Sequence, residues 1–156
     1  MIFERRAYTF QPGKVEAFWA AQPIWNNEAV FGAVLKQTIG YFRTMTGPAN
    51  QVVHLYRFDT LEQWQSSYAR YYATQSPDYF ALVRPMMLRQ ENAFLAEPPH
   101  PRLHAAWTGA ALRLPTVLAP RTALDDYCLV ETTTSFFPGG IPAYWKAFEA
   151  HRSGAR

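Results

Sequence analysis

Cysteine is all but missing: Cys128 is the single one in 156 residues. An internal disulfide is excluded, and so is a metal site built on spaced thiolates. A reducing compartment and a buried, inert Cys128 are the expectation. Blocks of like charge are missing too. The 15 basic residues are scattered, Arg5-Arg6 being the one adjacent pair, and the net charge is only +3, so no nucleic-acid interface is expected. No window approaches the roughly 20 apolar residues of a membrane span, and "AAWTGAALRLP" is broken by Gly109 and Arg113. Glu4, Arg5 and Arg6 interrupt "MIFERRAYTF" where an export signal needs an unbroken apolar core, which predicts a soluble, cytoplasmic protein. Neither a Gly-rich phosphate loop nor a Gly-x-Ser-x-Gly elbow occurs. His100 and His104 are four apart, but Pro101 between them argues against the helix that would align them, so no metal or other cofactor is expected. Haem would find axial ligands only in His54 or His104.

Aromatic residues, by contrast, are abundant: 5 Trp, 9 Tyr and 11 Phe, 16% of the chain, in a composition that is 49% hydrophobic. That surplus points to aromatic interfaces or apolar ligand walls. The length fits one domain with an extension and is enough to bury a proper core.

"IFERRAYTF" alternates with strand period, Phe3, Ala7 and Thr9 on one side, Glu4, Arg6, Tyr8 and Phe10 on the other. Pro12-Gly13 ends it. Val15, Phe18 and Trp19 then open a helix that Pro23 kinks or restarts. "QTIGYFRTM" reads as a second strand, "GPAN" as a turn with Asn50 bonding backbone, and "QVVHLYRF" as a third strand. Thr60 and Gln63 have the spacing of a capping box before "LEQWQSSYARYYA", and Ser76-Pro77 starts a short helix. "RQENAFLAE" is the fourth strand. The order predicts an α+β fold, the ferredoxin-like βαββαβ plan, with an antiparallel sheet and both helices on one face. Its other face then needs a cover.

The domain reading is residues 1–97 for this unit, 98–126 for a Pro-rich linker beginning "EPPHPRLH", and 127–156 for a partial second copy. In that copy "SFFPGGIPAYWKAF" echoes "TFQPGKVEAFWAA", predicting a strand, a turn and a helix. The remainder is too short for a second sheet, so another subunit is expected to supply the cover.

"FERRAYTFQPGKVEAF", "IGYFRTMTGPANQVVHLYRFDTLEQ", "YARYYA" and "LRQENAFLAEP" together resemble the successive motifs of the NIPSNAP family over roughly residues 1–97. Arg5 departs from the pattern, standing where the family usually has an apolar residue. The resemblance implies a dimeric α/β barrel, two ferredoxin-like sheets closing around a cavity, hence a homodimer, and often a tandem arrangement of two units. The family's activity is poorly defined. The wider barrel superfamily includes monooxygenases, cyclases, isomerases and haem enzymes, and fold does not choose among them.

Placed on such a sheet, several polar side chains converge. Glu4, Arg6 and Tyr8 share a face of the first strand, Tyr41 and Arg43 come from the second, His54 and Tyr56 from the third, Glu91 from the fourth. Val53 and Leu55 suit packing under the helices, which would aim His54 at the barrel interior. There the candidate catalytic set is His54 as proton acceptor, oriented by Glu4 or Glu91, with Arg6 or Arg43 holding an enolate or carboxylate. Tyr8, Tyr41, Arg43, Tyr56 and Glu91 are candidate ligand contacts for a small apolar or aromatic molecule, bound without a metal. The alternatives are a buried ion-pair network that fixes strand register, and a solid barrel serving as a non-catalytic interaction module.

Overall fold

Pro12 and Gly13 set the entry to the first helix. Gly13 adopts φ 76°, and the Lys14 N–H donates to the Gln11 carbonyl at 3.0 Å, turning the chain out of strand β1 (Ile2–Phe10) into helix α1 (Lys14–Trp25). The computed structural model describes residues 1–25, 28–74, 77–97 and 131–153. After α1 come α2 (Glu28–Leu35), β2 (Thr38–Arg43), β3 (Gln51–Phe58), α3 (Leu61–Thr74), α4 (Pro77–Val83), a 3₁₀ turn (Arg84–Met86), β4 (Met87–Ala96) and α5 (Gly140–Ser153).

The local signals act as their chemistry predicts. Thr60 Oγ1 accepts from the Gln63 N–H at 3.1 Å, while Gln63 Oε1 reaches back to the Asp59 N–H at 2.6 Å, one residue earlier than a standard capping box. Pro77 opens α4. Asn50 is a turn residue as expected, with φ 55°, but it bonds through its backbone carbonyl, which accepts from the Phe10 N–H, where a side-chain bond was expected.

The four strands form one antiparallel sheet in the order β2-β3-β1-β4, the ferredoxin-like arrangement of an α+β fold. The register sets Arg6 opposite both His54 and Asn92, and Tyr41 opposite His54. Which face lies under the helices differs from expectation. Trp64 of α3 bonds Glu4, the Arg6 guanidinium lies over Tyr68 of α3, and Tyr8, Phe10 and Val52 form one core with Val15, Phe18 and Ala21 of α1. The row carrying Glu4, Arg6, Tyr8, His54 and Tyr56 therefore faces the helices, and Val53 and Leu55 face away. The hand of the βαβ crossover, not the apolarity of a face, decides where helices sit. Aromatic helices such as α3 can cover a polar row because tyrosine and tryptophan bring both ring and polar tip.

The opposite face is the more aliphatic. Phe3, Ile39 and Leu55 cluster there and are only 3–6% exposed within the single chain. Arg5, on the same face, binds Glu131 through Nε at 2.5 Å and Nη2 at 2.8 Å. At Arg5 this face is met by Glu131 of the chain's own C-terminal segment, where a second subunit was the sequence-based expectation.

Helix α5 is present as expected, but 131–137 belong to no strand, since they form no ladder with an edge of the sheet. Residues 98–126, the expected linker, and 127–130 lie outside the described residues. Around the second Pro-Gly the local geometry repeats the first. Gly139 has φ 81°, the Gly140 N–H donates to the Phe137 carbonyl, and Phe136 meets Tyr144 at 5.0 Å as Phe10 meets Phe18 at 4.8 Å. Among the described residues no helix is long and apolar enough to cross a membrane.

Alanine at Gly13 should lower stability by about 1–2 kcal/mol, the cost of a left-handed residue with a Cβ. No neighbour lies within 4 Å of the added atom, so the loss is conformational. Chemical denaturation would measure it, with Gly140→Ala, whose Cβ meets Phe136 at an ordinary 3.5 Å, as the milder comparison.

Candidate functional site

Between the sheet and α1, α3 and α4 lies a pocket of about 120 Å³. Strands β1, β2 and β3 supply Arg6, Tyr8, Tyr41, His54 and Tyr56, the helices supply Phe18, Gln22, Tyr68, Tyr71 and Tyr79, and the half-exposed Tyr72 stands at its edge. A depression of about 260 Å³ along Thr44–Gln51 is larger but lies on the surface at the β2–β3 turn, away from His54.

His54 is the centre of the pocket's polar wall. Its ring stacks on Tyr41 at 3.8 Å, tilts against Tyr8 at 4.8 Å, and is only 7% exposed. Nδ1 lies 3.1 Å from the Tyr56 hydroxyl, and that hydroxyl donates onward to Tyr41 at 3.4 Å. In the tautomer that fits a Tyr56 proton directed at Tyr41, the imidazole donates Nδ1–H to the Tyr56 oxygen and Nε2 carries the lone pair. Nε2 is buried and has no hydrogen-bond partner among the described residues; the Tyr68 hydroxyl likewise has none. Burial, then the Arg6 charge, push the His54 pKa down to about 3, so the ring is neutral at pH 7.

Arg6 and Glu4 form a buried pair, Arg6 Nε donating to Glu4 Oε1 at 2.8 Å. The second carboxylate oxygen accepts from Trp64 Nε1 at 3.0 Å, which ties β1 to α3. Burial works against the Arg6 charge, but Tyr8, Tyr68 and Glu4 around it offset that and its pKa stays raised. Burial also raises the hydroxyl pKa values of Tyr8, Tyr41, Tyr56, Tyr68, Tyr71 and Tyr79, so the walls are neutral phenols. Gln22 donates to the Phe18 carbonyl and to the Tyr79 hydroxyl, closing the α1–α4 side.

Of the residues expected from sequence, His54, Arg6, Tyr8, Tyr41 and Tyr56 are brought together, in a pocket beneath the helices and not in a barrel interior. Glu4 stands behind Arg6 and does not orient His54; Tyr56 does. Glu91 is opposite Ala7 on the far face and pairs with Arg89 at 2.7 Å. Arg43 is exposed at the edge strand and pairs with Glu16 of α1. Neither reaches the imidazole. Sequence reasoning missed Tyr68, Tyr71 and Tyr79. Tyr68 and Tyr71, one helical turn apart on α3, carried a readable signal, whereas Tyr79 had none before the helix packing was known.

The family model for NIPSNAP matches residues 3–99. The chain belongs to the NIPSNAP family. Among solved structures it is similar to a NIPSNAP family protein with unknown function from Agrobacterium tumefaciens, at 26% identity and TM-score 0.55, covering 61% of this chain and 86% of that one. An uncharacterized NIPSNAP-like domain protein from Burkholderia xenovorans is 33% identical at TM-score 0.50, covering 64% and 90%. A dimeric ferredoxin-like protein from an uncultured marine organism shares the fold at 10% identity and TM-score 0.50, covering 64% and 91%. No curated protein matches.

In this NIPSNAP unit the depressed His54 pKa sets a pH dependence. Below the ordinary histidine value of 6.5 the unfolded chain takes up a proton at position 54 that the folded chain declines until about pH 3. The unfolded state binds more protons across that window, so stability is lost as pH falls from 6.5 toward 3, with a slope approaching about 1.4 kcal/mol per pH unit from this group. Urea denaturation between pH 5 and 7.5 should give a steeper loss for the native protein than for His54→Gln; parallel curves would contradict a buried neutral imidazole.

Proposed function

We propose that this NIPSNAP unit is a small-molecule binding domain whose site is the pocket beneath the helices. One observation carries the reading: a buried imidazole nitrogen without a partner faces a pocket with aromatic walls, and an unmet buried acceptor costs about 1–3 kcal/mol that a ligand donor would recover. Proton-transfer or monooxygenase-type chemistry on a bound molecule would use that nitrogen as the proton acceptor. A base with pKa about 3 is a poor one at neutral pH, since general-base efficiency is best near the working pH. The geometry therefore supports binding and orientation by hydrogen bonding above catalysis. A fragment panel followed by NMR should shift the His54 and Tyr41 ring resonances, and His54→Phe, which keeps a ring and removes the acceptor, should weaken the hits about tenfold. Fragments that all bind elsewhere would favour the non-catalytic, solid-core alternative.

A second reading concerns partners, and we infer self-association from β4. It is an edge strand, and Leu88, Phe94 and Leu95 on it are 64%, 53% and 42% exposed. A long apolar edge is a template for pairing with another chain, and the marine ferredoxin-like relative is described as dimeric. Sedimentation should report about twice the 17.9 kDa chain mass, with Leu95→Lys reverting to the monomer. A native monomer at all concentrations overturns it.

A further inference from the structure

Within the pocket proposed above, the polarity of each wall restricts what can enter. The lone pair on His54 Nε2 accepts a hydrogen bond and repels an anionic oxygen. Arg6 does not offset that repulsion, because its charge is already met by Glu4 at 2.8 Å and its guanidinium lies 4.1 Å from the centre of the Tyr68 ring. A carboxylate or an amine cation would each have to leave water for a pocket walled by neutral phenols, where the buried charged pair, Arg6 with Glu4, is already matched. A neutral O–H donor meets neither objection. The rest of the lining decides the body that carries it. Tyr8, Phe18, Tyr41 and Tyr56 present ring faces and edges around the imidazole, the arrangement that favours another aromatic ring. Size then sets an upper limit of one ring: at about 120 Å³ the pocket is smaller than the cavity of about 150 Å³ that holds benzene, so the ring must extend toward the open rim.

Resting on that binding reading, we propose that the pocket is selective for a neutral, single-ring phenol, bound edge-on among the tyrosines with its hydroxyl donating to His54 Nε2. The hydroxyl proton stays on the phenol oxygen and no bond is made or broken. Fused rings exceed the available space. A substituent could be accommodated toward Tyr72, Arg84 and Gln90, the exposed residues of the lining.

Isothermal titration and ¹⁵N NMR of the native chain with four probes, phenol, benzoate, cyclohexanol and 1-naphthol, test the proposal. Phenol should bind at least tenfold more tightly than each of the others and shift the His54 Nε2 resonance, with no phenolate absorbance in the difference spectrum. His54→Phe, titrated with phenol and with benzene, should abolish the preference for phenol over benzene. If benzoate, cyclohexanol or 1-naphthol matches or exceeds phenol while still shifting His54, the phenol class is wrong and the pocket stands as a binding site. If none of the four probes moves the His54 or Tyr41 resonances at millimolar concentration, the phenol class is overturned, and failure of the wider fragment panel as well would overturn the binding reading on which it rests.

Discussion

The buried ion pair of Glu4 and Arg6 is the constraint on which the rest of the structure turns. Two charges on alternate residues of the same strand face the helices, an environment that charges enter only when each is matched. Arg6 Nε satisfies one carboxylate oxygen, Trp64 Nε1 the other, and Tyr68 lies under the guanidinium. Two of these four groups, Trp64 and Tyr68, are aromatic side chains that an aliphatic helix could not supply, and α3 carries them at positions that reach the sheet. Breaking the pair from either side would strand a charge in the core, a loss of about 3–5 kcal/mol.

The same cation governs the neighbouring imidazole. His54 pairs directly across from Arg6 on the adjacent strand, so a second positive charge there would be both desolvated and repelled. Tyr56, two residues on and on the same face, takes the hydrogen bond that a carboxylate would have taken in a catalytic dyad. A carboxylate partner raises histidine basicity; a phenol fixes the ring without doing so. The site is accordingly built for a neutral acceptor of fixed orientation.

The succession of strands and helices, the capping box at Thr60 and the turn at Asn50 were legible because each depends on residues within a few positions, and so were the five polar residues that do share a face. Their direction was not. Period-two alternation says that His54 and Val53 point opposite ways but carries no label for which side holds the helices. Val53 and Leu55 looked like the natural floor for helices, yet the crossover puts the tyrosine-bearing α3 over the polar row instead. Glu91 was misplaced by one step for the same reason: only the register, Ala7 opposite Glu91, assigns it to the far face. Arg43 lay on the right face but too near the sheet edge, where solvent and Glu16 claim it.

The far face shows how independent the pocket is of what covers that side. Arg5 and Glu131 are 126 positions apart, the same interval that relates Phe10 to Phe136, Gly13 to Gly139 and Phe18 to Tyr144, pairs whose local geometry agrees. Contact between corresponding positions of two similar segments is what a two-fold relation produces; the likeness of the two segments lies in the Pro-Gly turn and the helix after it, since 131–137 form no strand. The Arg5–Glu131 contact lies on the face away from the helices. The imidazole, the phenols and Arg6 are enclosed on the other side by α1, α3 and α4 of the same unit. Changes in how the aliphatic face is covered can therefore alter stability and assembly while leaving the geometry around His54 intact.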